Sequence, residues 1–160
     1  MGLHRPSPAV ADAGPLIHLA EIGCLRLTSV FDPLHISEGV WLEAGRHAPA
    51  LDAASVELPF RRHPLPSGDV ERFVAEHGLS GLQRGECEAL CLCRPLGIPV
   101  VLTDDLAVRE AAKALRVVPV GSLGIPGSPP VARVGQRRRG TPSARKQLLA
   151  VTTHSSYGTS

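Results

Sequence analysis

The segment Ile98-Pro99-Val100-Val101-Leu102-Thr103 constrains the architecture more than any other stretch of the chain. As a strand, Val100-Val101-Leu102 presents apolar side chains to both faces, so both faces must be covered. Strands of this kind belong to parallel sheets with helices on each side. Elsewhere, short apolar runs alternate with stretches of helical spacing, which predicts an α/β fold with a parallel sheet. Strands are predicted at 9–11, 34–36, 100–103 and 117–120, with 100–103 central and 56–58 as an edge strand. Helices are predicted at 15–23, after Ser37, at 69–77, at 86–96 and at 106–115. Pro15 suits a first helical position, Ser37 can cap the helix carrying Val40, Trp41, Glu43 and Ala44, and Gly78 marks a stop.

At 160 residues the chain is one domain by size. Only 3% of its residues are aromatic, which argues against a broad stacking platform for single-stranded nucleic acid. No run approaches the ~20 apolar residues of a membrane span, and no basic segment followed by an apolar run opens the chain. No membrane partner is therefore expected, and the cytoplasm is the expected location.

Charge is distributed unevenly. Residues 126–160 carry six Lys or Arg and no acid, whereas residues 1–125 carry 11 basic and 15 acidic residues. The change coincides with the Pro126-Gly127-Ser128-Pro129-Pro130 run, so the compact domain is expected to span 1–125. A largely disordered basic tail is expected at 126–160, with helical spacing only at 144–151. Such a tail is either a solvated segment or an attraction for phosphate-rich partners. Cys24, Cys87, Cys91 and Cys93 lack paired C-x2-C spacing and read as reduced packing thiols.

Two of the predicted strands stop at carboxylates. Val10-Ala11 runs into Asp12, and Leu102-Thr103 runs into Asp104-Asp105. In a parallel sheet these acids would meet at the carboxyl edge, the usual ligand site of open α/β folds. Glu43 and Glu86, on separate helices, could join them, and Glu88 is a weaker candidate beside Glu86. Crowded anions favour a divalent cation, and without one their carboxyl pKa values should be raised by mutual repulsion.

The run Val10-Ala11-Asp12-Ala13-Gly14-Pro15-Leu16-Ile17 resembles the opening of PIN-domain proteins, especially their VapC-like group. Two more blocks agree in family order: Leu82-Gln83-Arg84-Gly85-Glu86-Cys87-Glu88-Ala89-Leu90, and Leu102-Thr103-Asp104-Asp105 followed by Val120-Gly121-Ser122-Leu123-Gly124. The resemblance implies a three-layer α/β/α PIN fold and a Mg²⁺- or Mn²⁺-dependent endoribonuclease. It further implies an RNA substrate, the toxin role of a toxin–antitoxin pair, a small antitoxin partner and a homodimer. Carried over residue by residue, it points to Asp12, Glu43 and Glu86, and to Asp104 or Asp105, as catalytic positions. Asp12, Glu86 and Asp104 or Asp105 are the expected metal ligands, with Thr103 bonding a ligand carboxylate from behind.

The chain departs from the family at Ala13, where Thr or Ser is common, and in the basic tail, where further apolar helices are usual. A catalytically inactive nucleic-acid-binding or partner-binding module is the alternative reading. A nucleotide-binding domain is disfavoured by the absence of G-x-G-x-x-G and G-x4-G-K-[ST]. Trp41 reads as a core or dimer-face residue. Arg61-Arg62-His63 reads as RNA-phosphate contact or loop charge. Arg109 either pairs with a site carboxylate or guides phosphate. His18, His35 and His77 read as packing or surface residues.

Overall fold

The computed structural model describes residues 6–127. The segment 128–160 lies outside the described residues, and with it nearly all of the expected tail and the expected helix at 144–151. Five parallel strands form one sheet in the order β3-β2-β1-β4-β5. These are β1 Ser7–Ala11, β2 Phe31–Ser37, β3 Phe60–His63, β4 Val100–Leu102 and β5 Val118–Val120. The helices are α1 Ala13–Glu21, α2 Glu38–His47, α3 Ala50–Ala54, α4 Ser67–His77, α5 Arg84–Leu96 and α6 Leu106–Ala114.

Alternation along the strands divides the core into two layers. Ala9, Ala11, Leu34, Ile36 and Leu102 pack with Leu16, Val40, Trp41, Ala44 and Leu51 of α1 to α3. Val10 and Val101 face the other way and pack with Val70, Phe73, Leu90, Val108 and Ala112 of α4 to α6. The result is a three-layer α/β/α sandwich, as the sequence predicts. β1 takes the central place expected for β4, which lies between β1 and β5. Both strands are internal, so an apolar pattern on two faces does not separate them.

The edge strand differs from expectation. Residues 56–58 form a turn, not a strand. The Val56, Glu57 and Leu58 amides donate back to the carbonyls of Ala53 and Ala54, leaving none for a ladder. Val56 is 86% exposed. Beyond Pro59 the chain straightens, and β3 pairs with β2 in the register Leu34 to Phe60 and Ile36 to Arg62. β2 is longer than expected and includes Asp32-Pro33. Its pairing with β1 shifts register between Ser7 and Ala9, opposite that proline.

Helix ends follow local chemistry. Ser37 caps α2 through a 3.1 Å bond from the Val40 N–H. Gly78 ends α4 in the left-handed region, with φ of +66°. Gly78→Ala is expected to lower stability by about 1–2 kcal/mol, read as a reduced urea midpoint at unchanged slope. The four cysteines are free thiols. Burial pushes the Cys93 thiol up to about 12, in keeping with a packing role. Among the described residues no helix is long and apolar enough to cross a membrane.

Candidate active site

Strand order reverses at β1, where successive strands leave in opposite directions. In open α/β sheets such a reversal is where a ligand crevice forms, here beyond the carboxyl ends of β1 and β4. Ala11 pairs with Leu102, which brings Asp12 beside Thr103. The Asp12 N–H donates to the Leu102 carbonyl at 2.9 Å, extending the ladder by one residue. Asp12 Oδ1 accepts the Ala13 N–H at 2.8 Å, so the carboxylate also caps α1. That bond starts α1 two residues earlier than Pro15 would suggest. The Thr103 hydroxyl donates to Oδ2 at 3.2 Å, supplying a hydroxyl contact where Ala13 offers none.

Asp12 is only 6% exposed. Its pKa is raised from 3.8 to about 6, chiefly by burial, with repulsion from Glu86 and Glu43 contributing. The bonds from Ala13 and Thr103 oppose it. The direction is the one expected of crowded acids, but loss of water contributes more than their repulsion.

Glu86 is the third residue of α5, which begins at Arg84 and not, as the sequence suggests, at Glu86. Its Oε2 accepts the Gln83 N–H at 2.7 Å, closing the first turn. Burial raises the Glu86 pKa, the Gln83 bond opposes this, and repulsion from Asp105 and then Glu43 adds to it. Glu43 reaches across from α2 and lies over Gly85. A Cβ on that glycine would stand 2.9 Å from Glu43 Oε2.

Glu86 and Glu43 thus repel Asp12, and Asp105 and Glu43 repel Glu86, so acids from four segments lie in one neighbourhood. Asp104 and Asp105 have different surroundings. Asp105 caps α6 through Oδ1, accepting from Ala107 N–H at 2.7 Å and Val108 N–H at 3.1 Å. Asp104 accepts from the Ser122 N–H at 2.7 Å and the Ser122 hydroxyl at 2.8 Å. His18 Nδ1 lies 3.0 Å from that hydroxyl and 3.6 Å from Asp104 Oδ2. These contacts tie α1, the β4 end and the turn after β5 together. Glu88 accepts from the Ser37 hydroxyl at 2.8 Å and Arg84 Nε at 3.0 Å.

Among the described residues, no three His, Cys, Asp or Glu are gathered tightly enough to ligate one ion as they stand. The carboxylate of Glu86 is turned onto its own helix start. In donor chemistry the four acids suit a hard divalent cation, since all offer carboxylate oxygens and a hydroxyl supports one of them.

The remaining singled-out residues have partners of their own. Arg109 donates to the Thr103 carbonyl at 3.3 Å. Arg62 pairs with Glu38 and lies 4.9 Å from the ring centre of Trp41. Trp41 is a core residue set edge-on to Phe60. His35 and His63 bond each other at 2.7 Å. The sequence suggests only a packing or surface role for His18 and none for Ser122, since a lone histidine and a serine in a glycine-rich turn carry no spacing signal; both lie at Asp104. Nor does the sequence single out Gly39 or Gly85, although each stands one helical turn before a glutamate.

A family model described as "DUF3368: PIN domain" matches residues 8–128. No curated protein matches the chain significantly. Among solved structures, PAE2754 from Pyrobaculum aerophilum is similar at 21% identity and a TM-score of 0.49, covering 71% of this chain and 84% of that one. By the span of the family match, the chain belongs to the PIN-domain family, whose members are generally nucleases.

Proposed function

We propose that the protein is a Mg²⁺- or Mn²⁺-dependent endoribonuclease acting through Asp12, Glu43, Glu86 and Asp105. The observation that carries this reading is that Asp12 and Asp105 follow the carboxyl ends of the neighbouring strands β1 and β4, with Glu86 and Glu43 near enough to Asp12 to raise its pKa by repulsion. A bound divalent ion supplies charge for a phosphodiester oxygen and a water of lowered pKa. Asp12 and Glu86 are the first ligands, and Asp105 is the strand-end ligand. Asp105 keeps Oδ2 available while Oδ1 caps α6. Asp104, the other candidate, supports the crevice by holding Ser122. Glu43 orients the attacking water from the α2 side. Thr103 fixes the Asp12 carboxylate by donating its hydroxyl to Oδ2.

The family resemblance supports the finer description: RNA as substrate, the toxin role of a toxin–antitoxin pair, a small antitoxin partner and a homodimer. The inactive binding module remains the contrasting outcome, in which RNA is bound and not cut.

Titration with Mn²⁺, followed by the loss of free-ion paramagnetic resonance, separates the two strand-end acids. Asp105→Asn should weaken binding by roughly tenfold or more, and Asp104→Asn by less. The reverse order would transfer the ligand role to Asp104. Below pH ~6 a proton holds Asp12, so Mn²⁺ affinity should fall by about tenfold per pH unit. Affinity independent of pH between 4.5 and 6 would remove Asp12 from the ligand set.

A further inference from the structure

α2 and α5 pack against each other, and each presents a glycine and a glutamate one turn apart on the contact face. The pairs are Gly39 with Glu43 on α2, and Gly85 with Glu88 on α5. They meet reciprocally. Glu88 lies over Gly39, where a Cβ would stand 2.2 Å from Oε2 and 2.8 Å from Cδ. Glu43 lies over Gly85, where a Cβ would stand 2.9 Å from Oε2 and 3.6 Å from Val40 Cγ2. Any larger residue at either glycine would displace the carboxylate facing it.

The two glutamates have different environments. Glu88 is 5% exposed and satisfied on both oxygens, by Ser37 on one side and Arg84 on the other. The same Ser37 oxygen accepts the Val40 N–H that starts α2. Arg84 also reaches Ser67, at the start of α4, at 3.1 Å. Glu88 thus binds the first turn of α2 to the first turn of α5. Those turns lie next to the carboxylates of Glu43 and Glu86.

We infer that Gly39, Gly85 and Glu88 form a reciprocal clasp between α2 and α5, and that Glu88 is a positioning residue setting the separation of Glu43 and Glu86. The clasp gives the second acid, two residues after Glu86, a role of its own: Glu86 closes the first turn of α5 and Glu88 locks that helix to α2. The inference rests on the proposed metal site for its functional consequence.

The experiment is Mn²⁺ binding by paramagnetic resonance on the full chain, each variant first shown to be folded by circular dichroism. Gly39→Ala should weaken Mn²⁺ by about tenfold or more, since the methyl group drives Glu88 off its partners. Glu88→Ala should weaken it comparably. Gly39→Ala combined with Glu88→Ala should bind no more weakly than Glu88→Ala alone, because the vacated space accepts the methyl group. Glu88→Gln, which can still bridge Ser37 and Arg84, should restore most of the affinity. Gly85→Ala, which crowds the tip of Glu43 and meets Val40 Cγ2 at ordinary contact distance, serves if Gly39→Ala does not fold, and should also weaken binding. Wild-type affinity in Gly39→Ala or Gly85→Ala, or independent losses in the double variant, would overturn the clasp while leaving the metal site standing. No Mn²⁺ binding by the wild-type protein would overturn the metal site, and the positioning role with it.

Discussion

Asp12→Asn is expected to stabilise the metal-free protein at pH 7.5 by roughly 3 kcal/mol while reducing RNA cleavage at least about a hundredfold. The folded-state pKa of Asp12, about 6, lies above its ordinary 3.8. Below 3.8 the group is protonated in both states and carries no penalty. Between 3.8 and 6 the unfolded chain releases the proton and the fold retains it, so stability falls as pH rises. Above 6 the full penalty persists. Asparagine keeps an oxygen for the Ala13 N–H and an amide for the Thr103 hydroxyl, without the buried charge. Urea unfolding in chelator should show the gain at pH 7.5 and only a small remainder of it at pH 4. Equal stability of the two proteins at pH 7.5 would mean that the buried charge is already compensated.

Leu90→Ala is expected to cost about 2–5 kcal/mol. Leu90 is fully buried in the middle of α5, within the layer that contains Val10 of β1 and Val101 of β4. Its loss would leave a cavity that parallel strands and a helix cannot readily close. Because α5 carries Glu86 and Glu88, this cavity lies under the helix that supports the acidic group. A urea midpoint unchanged from wild type would show that the layer repacks around the smaller side chain.

Sheet and layers could be read from the residues because each leaves a local pattern, and the strand-end acids could be picked out as candidates. Val100-Val101-Leu102 reports burial on two faces, and Asp12 reports a strand end followed by a helix start. The edge strand could not be read this way. Val56-Glu57-Leu58 has strand composition, but backbone donors committed to Ala53 and Ala54 override it. The difference between Asp104 and Asp105 was also hidden, since it depends on Ser122, distant in sequence and brought in by β5. The clasp needs two helices in contact before its glycines acquire meaning.

The most direct measurement is cleavage of an end-labelled single-stranded RNA by the full chain at pH 7.5, with chelator and with Mn²⁺, for wild type and Asp12→Asn. A metal-dependent carboxylate site predicts fragments only from the wild-type protein and only with Mn²⁺. Equal cleavage by Asp12→Asn, or cleavage undiminished in chelator, would contradict it.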